Sequence, residues 1–253
     1  TSHGSHTIPR NNTSTLIETG DASYLVDCGE PASGTMRRLG KDFGSLRALF
    51  VTHMHADHVG GIAQLTNMLK HARGKEQIVT WCLPSEAVER TRAWLEALYM
   101  PPELRPVTLE LCGVDEGTVY EDEHVKVTAL PSGHLEGLAQ RYADLGLPNR
   151  GQAFSYIIEL EGKRIAFSGD LPRDFRYLHR VVAEPLDLLV MEMTHIRPEE
   201  VLPWLGKQPV RRLLLTHIWD PWHGPGENRL REMCFAHLPF PFAIAHDGTE
   251  LEL

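Results

Sequence analysis

Short apolar segments alternate with amphipathic segments along the whole chain. In the first half, segments rich in Leu, Ile and Val predict strands at residues 14–18, 23–27, 46–51 and 78–83. Apolar residues at helical spacing predict helices at residues 59–72 and 85–99. The second helix has Ser85 as a candidate N-cap, and Pro101 and Pro102 end it. Strands that alternate with helices favour an α/β fold.

A similar alternation starts again after residue 122. The apolar patterns predict strands at residues 124–130, 154–160, 164–167, 186–191 and 212–216 and a closing strand or hairpin at residues 243–253. Helices are predicted at residues 174–183, 199–205 and 227–237. The two sets of predicted strands and helices join near residues 113–122. The simplest arrangement that buries their apolar faces is two β-sheets packed face to face with helices outside. We therefore predict an α/β protein whose residues 1–253 form one domain with two similar halves.

Residues 133–151 form the longest stretch without a clear periodic signal. Irregular segments that contain Pro and Gly are more often binding loops than linkers. A guanidinium matches the fork of a phosphate group, so an arginine in or near this loop could bind an anion. The candidates, for each of which a plain surface charge is the alternative, are Arg141, Arg150, Arg173 and Arg176.

Composition and charge narrow the class of protein. The formal net charge of −9 provides no global basic field to hold a long nucleic acid, although a small anionic substrate stays possible. The cysteines are widely spaced, form no CxxC pair and are expected to be buried thiols: Cys28, Cys82, Cys112 and Cys234. No run of 18 apolar residues occurs, and the first ten residues lack the hydrophobic core of a secretion signal. We expect a cytoplasmic protein with no membrane partner.

Histidine is unusually frequent, with 14 residues, and its densest group follows the predicted strand at residues 46–51. His53 and His55 are two positions apart, so in extended backbone their rings point to the same side. Asp57 and His58 stand where the next helix begins, and their carboxylate and imidazole can face the same ion. These four residues suit zinc, manganese or iron. The alternative is a solvated turn, which the preceding buried strand argues against.

The string HxHxDH that ends at His58 is the signature of the metallo-β-lactamase superfamily, and the chain resembles that family along nearly its whole length. Residues 15–30, which end in LVDCGE, resemble a segment of ribonuclease Z and its relatives. Residues 131–134, 168–170 and 214–217 resemble the third, fourth and fifth motifs of the superfamily, and Asp247-Gly248 resembles its closing strand. The branch that the chain resembles includes ribonuclease Z and small cyclic phosphodiesterases.

The resemblance implies a metallo-β-lactamase-like αββα sandwich, with two packed mixed β-sheets and helices on the outer faces. It also implies two divalent metal ions per chain, zinc or manganese, with iron possible. The implied ligands are His53, His55 and His134 on one ion, Asp57, His58 and His217 on the other, and Asp170 between them.

Two residues have implied catalytic roles. His195 stands 22 positions before His217, near the place of a catalytic histidine in the resembling branches. It would protonate the leaving group, while Asp57 would orient the hydroxide nucleophile held by the ions. The alternative for His195 is an ordinary residue at a strand end, and His246 is a competing candidate for the ligand role of His217.

Three further histidines have weaker assignments. His223 follows two tryptophans in a Pro- and Gly-containing loop, where it either lines a pocket or packs the loop. His3 and His6 are expected in a loosely held or strand-edge segment at the N-terminal end. None of the three is predicted as a metal ligand.

The implied activity is metal-dependent hydrolysis, with three candidate substrates. The leading hypothesis is a phosphodiesterase that acts on a small or nucleotide-like anionic substrate. The first alternative is a thioester or lactone hydrolase of the glyoxalase II type, and the second is a tRNA 3′-processing endoribonuclease. Asp170 stands where class B lactamases carry cysteine, and His55 stands where the di-iron redox branch carries glutamate. Both of those branches are therefore disfavoured.

Departures from ribonuclease Z lower the weight of tRNA as a partner without removing it. The arm with which that family grips tRNA is not recognisable, because only residues 135–153 separate His134 from the next predicted strand. Residues 218–222 replace the Ser-x-Arg-Tyr that follows the fifth motif in ribonuclease Z. A homodimer is common in the resembling family and is a further candidate partner.

Overall fold

The computed structural model describes residues 1–5, 7–72 and 74–253, which form two β-sheets packed face to face. In these residues the first sheet has five strands in sequential order, with the first pair antiparallel and the rest parallel. They are β1 (Thr15–Glu18), β2 (Ser23–Val26), β3 (Leu46–Phe50), β4 (Ile78–Pro84) and β5 (Thr108–Val114).

The second sheet, over the same described residues, has seven strands in the order β12-β11-β10-β9-β8-β7-β6. The pairs from β6 to β9 are antiparallel, and those from β9 to β12 are parallel. The strands are β6 (Gly117–Glu121), β7 (Val125–Pro131), β8 (Phe154–Leu160), β9 (Lys163–Phe167), β10 (Leu188–Met193), β11 (Leu213–Ile218) and β12 (Phe242–Ile244). Both sheets are therefore mixed, as predicted.

Helices cover the outer faces of the two sheets. They are α1 (Ala32–Arg38), α2 (Ala56–Val59), α3 (Ile62–Met68), α4 (Val88–Ala97), α5 (Glu136–Asp144), α6 (Leu178–Val181), α7 (Pro198–Leu205) and α8 (Pro225–His237). Buried apolar residues form three layers: one between the sheets and one under the helices of each outer face. Between the sheets, the rings of Phe50 and Tyr156 have centroids 5.8 Å apart. The predicted αββα sandwich is confirmed.

Both fully buried β10 and half-exposed β7 were predicted, whereas β5 and β6 were missed. β10 is buried along its whole length, so its apolar run carries a strong signal. β5 has two buried residues and β6 has none, so both carry a weak signal. β5 ends at the start of the predicted join at residues 113–122 and β6 lies within it, where the chain passes from the first sheet to the second.

Several predicted helix ends were wrong. The helix predicted at residues 174–183 shortens to α6, because Phe175 has φ of 39°, which lies outside a right-handed helix. Ser85 is not an N-cap: it lies in a 3₁₀ turn, and its Oγ donates a hydrogen bond to the Val114 carbonyl. The helix predicted at residues 59–72 is divided between α2, α3 and a further 3₁₀ turn.

Residues 133–151 are not wholly irregular, because they contain α5. No residue of this helix is buried, so it lacks the core-facing stripe that makes a helix easy to predict. Near the C-terminal end, the predicted strand or hairpin at residues 243–253 reduces to β12 followed by a turn at Asp247 and Gly248.

The cysteine prediction is confirmed at three positions. Cys28, Cys82 and Cys234 are buried and free, and Cys112 is free but half-buried. Among the described residues, no helix has the length and apolar character needed to cross a membrane. The prediction for His6 falls outside the described residues.

Candidate metal centre

The seven residues predicted as metal ligands lie together at one edge of the sandwich. Each stands in or just after the end of a strand or at the start of a short helix, where the chain leaves the packed core. They are His53, His55, Asp57 and His58 between β3 and the end of α2, His134 after β7, Asp170 after β9 and His217 in β11. Both sheets contribute, so the cluster forms only when the two halves pack together.

One group of four residues surrounds a common point. The candidate ligand atoms of His53, His55, His134 and Asp170 all lie within 4.8 Å of one another. Nε2 of His53 and Nε2 of His134 are each 3.6 Å from Oδ2 of Asp170. Three imidazoles and one carboxylate at these separations could hold one divalent ion.

A second group of three residues lies on the other side of Asp170. The candidate ligand atoms of Asp57, His58 and His217 also lie within 4.8 Å of one another. Nε2 of His217 is 3.0 Å from Oδ2 of Asp57, and Nε2 of His58 is 3.5 Å from it. Oδ1 of Asp170 lies 3.3 Å from Nε2 of His58 and 3.6 Å from Nε2 of His217. One oxygen of Asp170 thus faces each group, as a bridging ligand requires.

The hydrogen-bond inventory fits bound cations. Nε2 of His53, His58 and His134 and Oδ1 of Asp170 are buried without a hydrogen-bond partner among the described residues. A buried polar atom left without a partner costs about 1–3 kcal/mol, so four of them in one cluster need a ligand that satisfies them together. A divalent ion coordinated by imidazole and carboxylate meets that need. The residues present therefore fit the metal ions that the sequence implies.

Hydrogen bonds behind the cluster fix which nitrogen of each ring faces it. Nδ1 of His58 lies 2.7 Å from Asp27, and Nδ1 of His217 lies 3.0 Å from the hydroxyl of Thr194. That hydroxyl donates its own proton to the His217 carbonyl, so it accepts from the ring. Nδ1 is therefore protonated in both rings, and Nε2 is the nitrogen that faces the cluster and would bind an ion.

The local backbone is shaped to bring these groups close. Asp27 and His217 have φ of 58° and 47°, a conformation that residues other than glycine rarely adopt and that only surrounding contacts can hold. A Cβ atom on Gly29 would lie 2.1 Å from the Asp57 carbonyl oxygen. Glycine is therefore required where the turn after β2 packs against the start of α2.

The ionisation of the cluster suits ligation. Burial lowers the pKa of His53, His55 and His134, so these rings are neutral and offer lone pairs at pH 7. Burial alone would raise the pKa of Asp57 and Asp170, but the neighbouring His58 and His217 hold both below the usual range. Burial would lower the pKa of His58, but the carboxylates of Asp170 and Asp27 raise it, so a bound ion would displace a proton from this ring. The other three rings and the two carboxylates are in the state in which they bind metals.

His195 lies beside the cluster and is oriented by a buried acid. Its ring centroid is 4.6 Å from that of His134, and its Nδ1 is 3.0 Å from Oε1 of Glu192. Burial would lower the pKa of His195, but the hydrogen bond and charge of Glu192, with the charge of Asp170, raise it to about 9. With Nδ1 bound to Glu192, Nε2 is the nitrogen left to face a substrate. His195 also shares a potential ligand group with Asp170, Glu192 and His217.

The sequence analysis missed the residues that hold the cluster from behind. Glu192 accepts hydrogen bonds from the backbone N–H groups of Leu171, Thr194 and His195, each at 2.7–2.8 Å. Asp27 accepts one from the backbone N–H of Thr52 at 2.8 Å. The sequence carried a signal for both Asp27 and Glu192, since each is an acidic residue at the end of an apolar strand. An unpaired charge is costly there, so such an acid is expected to have hydrogen-bond donors around it.

The other candidate histidines lie outside the cluster. Nε2 of His246 is 2.9 Å from Glu227, and His246 belongs to none of the three candidate ligand groups. His223 packs its own loop through a hydrogen bond from Nε2 to the Ile218 carbonyl at 2.8 Å. His3 is half-buried, with Nε2 3.1 Å from Asp220.

The arginines singled out from the sequence are engaged elsewhere or unassigned. Arg176 pairs with Glu136 and with Asp174 at the surface. The backbone N–H of Arg150 donates to Glu86. Arg141 and Arg173 are exposed, so the plain surface charge remains the simpler interpretation for these side chains.

A cavity of about 290 Å³ opens beside the cluster. Its walls come from α4 and α5, and His55 lies in its lining as well as in the first ligand group. A molecule in this cavity would therefore touch a residue of the candidate metal centre.

Comparisons with known proteins agree with this architecture. A family model described as beta-lactamase superfamily domain matches residues 23–218, which is most of the chain. Ribonuclease Z of Pseudomonas putida is 26% identical over 305 aligned residues that cover 98% of this chain and 93% of the relative. The alignment is longer than this 253-residue chain, so many of its positions fall opposite gaps here.

Two solved structures share the fold. The metallo-β-lactamase fold protein YhfI of Bacillus subtilis superposes with a TM-score of 0.74 at 17% identity and covers 98% of this chain and 94% of its own. The human short form of tRNase Z superposes with a TM-score of 0.69 at 16% identity and covers 98% of this chain and 95% of its own.

Proposed function

Because the chain belongs to the beta-lactamase superfamily and is a metal-dependent hydrolase similar to ribonuclease Z, we propose that it hydrolyses phosphodiesters. The substrate in this proposal is small or nucleotide-like. The observation that carries it is the position of Asp170 between two ligand groups, because paired metal sites stabilise both the attacking and the leaving oxygen of a phosphoryl centre.

The proposal assigns a role to each residue of the cluster. His53, His55 and His134 would hold one ion, Asp57, His58 and His217 the other, and Asp170 would bridge them. Divalent ions bound there would polarise phosphoryl oxygens and bring the pKa of water toward neutrality. Zinc and manganese both accept this donor set, and iron is a third candidate.

The remaining steps fall to side chains of this protein. The carboxylate of Asp57, at one side of the second group, would accept a hydrogen bond from the attacking water and orient it. His195 would donate the proton on Nε2 to the leaving oxygen, while Glu192 holds Nδ1 and stabilises the positive charge of the ring. The partial exposure of His195 supports this role, since a proton donor must reach the substrate.

A small substrate is favoured over a long nucleic acid by charge and by volume. The net charge of −9 opposes binding of an extended polyanion. The cavity of about 290 Å³ beside His55 lies near the small end of the range for ligand pockets, roughly 300–1,000 Å³. This size suits a single nucleoside or a group of similar dimensions.

Processing of tRNA is the second candidate, and one observation favours it. The similarity to ribonuclease Z extends over 98% of this chain. Both candidates require the same phosphodiester chemistry at the same cluster, so they differ in what binds around it. Hydrolysis of a thioester or lactone is a third possibility, which the assay below separates from the first two.

The test is hydrolysis by the zinc- or manganese-loaded protein of three substrates in parallel. These are bis(p-nitrophenyl) phosphate, a thioester such as S-lactoylglutathione, and a precursor tRNA with a 3′ trailer. We expect turnover of the phosphodiester, with a loss of more than about 100-fold in Asp57→Asn because a proposed ligand is removed.

Asp21→Asn is the matched control, since Asp21 lies in the turn between β1 and β2, exposed and away from the cluster. It should keep the rate of the wild type. Turnover of the thioester alone would overturn the proposal. Cleavage of the tRNA at least as efficient as that of small diesters would replace the small substrate with the second candidate.

A further inference from the structure

Residues of two helices, α4 and α5, line the cavity beside His55. On α4, Thr91 and Trp94 face the cavity, and on α5 it is Leu138, Ala139 and Tyr142. Positions 138, 139 and 142 share one side of a helix, so α5 presents an apolar face to the cavity. No residue of α5 is fully buried, so this face borders the cavity and not the protein core.

The cavity combines aromatic walls with polar groups. Trp94 is 40% exposed and Tyr142 is 37% exposed, although both are large hydrophobic side chains. Arg90 and Asn149 also line the cavity, and Nη1 of Arg90 donates to Oδ1 of Asn149 at 2.8 Å. Among the described residues, Arg90 makes no ion pair, so its charge is available to a ligand.

The one acid in the lining is already engaged by the backbone. Glu86 accepts a hydrogen bond from the N–H of Gln152 at 2.9 Å and another from the N–H of Arg150. These bonds hold the loop that carries Asn149 against the start of α4. The carboxylate of Glu86 thus helps to shape the cavity, and its two N–H donors weaken its repulsion of an anionic ligand.

We propose that this cavity between α4 and α5 is a nucleobase pocket, in which Trp94 and Tyr142 contact the base while the adjoining phosphate reaches the metal centre past His55. Any nucleobase can stack on an aromatic side chain, because every base has a flat π-face. The edge of the base can form hydrogen bonds with Arg90 and Asn149. An aliphatic chain would take those two polar groups out of water and offer them no further hydrogen bond, which is costly. The proposal rests on the proposed function in placing the phosphate at the histidine cluster.

The test is calorimetric binding of AMP, ribose 5-phosphate and octyl phosphate to the metal-loaded protein. AMP and ribose 5-phosphate share the phosphate and the sugar, so the difference between their dissociation constants reports the contribution of the base. We expect AMP to bind roughly tenfold or more tightly than ribose 5-phosphate. Trp94→Ala should abolish that difference, and Trp94→Phe should keep it.

Leu98→Ala is the matched control, because Leu98 directly follows α4, is 41% exposed and does not line the cavity. It should bind AMP as the wild type does. Equal binding of AMP and ribose 5-phosphate, or an unchanged difference in Trp94→Ala, would overturn the pocket. Octyl phosphate binding as tightly as AMP would overturn it in favour of an aliphatic substrate. Base-dependent binding without any phosphodiester turnover would support the pocket and reject the proposed hydrolysis.

Discussion

At the scale of single residues, four buried polar atoms without hydrogen-bond partners are concentrated at one place, where a cation would satisfy them together. They are Nε2 of His53, His58 and His134 and Oδ1 of Asp170, and burial keeps the rings of His53 and His134 neutral by lowering their pKa. Behind the cluster, Asp27 and Glu192 are buried acids with complete sets of donors. The ligands are therefore held in place before any ion binds, which reduces the cost of ordering them on binding.

His195 offers a residue-scale test of the proton-donor role. A leaving alkoxide needs a proton, whereas p-nitrophenolate leaves readily without one. His195→Gln should therefore slow hydrolysis of a dinucleoside phosphate by about 100-fold to 10,000-fold and slow a p-nitrophenyl nucleotide ester much less. Steady-state kcat values for the two substrates measure the contrast.

Two controls accompany that comparison. His237→Gln changes an exposed histidine at the end of α8 and should leave both rates unchanged. The metal content of His195→Gln should equal that of the wild type. Loss of metal, or equal slowing of both substrates, would show that His195 acts as a ligand or a structural residue.

At the scale of elements, local sequence predicts strands that are fully buried or that alternate, such as β10 and β7, and misses β5, β6 and α5, which bury few residues or none. β10 was predicted because it is a nearly continuous apolar run, and all six of its residues are buried. Glu192 was overlooked because it stands inside that apolar run. α5 was missed because its apolar positions face a cavity and are never buried. The candidate ligands were predictable because they form short strings next to strands. The cavity walls were not, because α4 and α5 are distant in sequence and carry ordinary residues.

Asp122 links elements of the two sheets and predicts a pH dependence of stability. It accepts hydrogen bonds from the hydroxyls of Tyr24 in β2 at 2.7 Å and Tyr120 in β6 at 2.9 Å. Burial alone would raise the pKa of Asp122, but these bonds and those from the backbone N–H groups of His124 and Val125 lower it. A lowered pKa in the folded state stabilises the protein above the unfolded value of about 4, and the gain is lost as pH falls through the folded value.

Asp122→Asn should therefore destabilise the fold by about 1–2 kcal/mol at neutral pH, and by less at pH values of about 3–3.5. Urea unfolding at the two pH values measures the difference, and Glu232→Gln, at an exposed position of α8, serves as the control. An equal loss of stability at both pH values would mean that the charge of Asp122 contributes nothing.

At the scale of the whole molecule, the site is assembled from both halves of the chain. His53, His55, Asp57 and His58 come from the first half, and His134, Asp170 and His217 come from the second. The cavity follows the same rule, with one wall from α4 and the other from α5. Family membership gives hydrolysis and the fold, while our proposal places substrate binding in the cavity lined by α5, in the connection between β7 and β8.

The most direct test of the central claim is the metal content of the protein. Elemental analysis after saturation with zinc or manganese and removal of free ions should give two ions per chain in the wild type and in Asp21→Asn, and fewer in Asp170→Asn, which alters the proposed bridge. A wild-type protein that retains less than one ion per chain would contradict the account of the site.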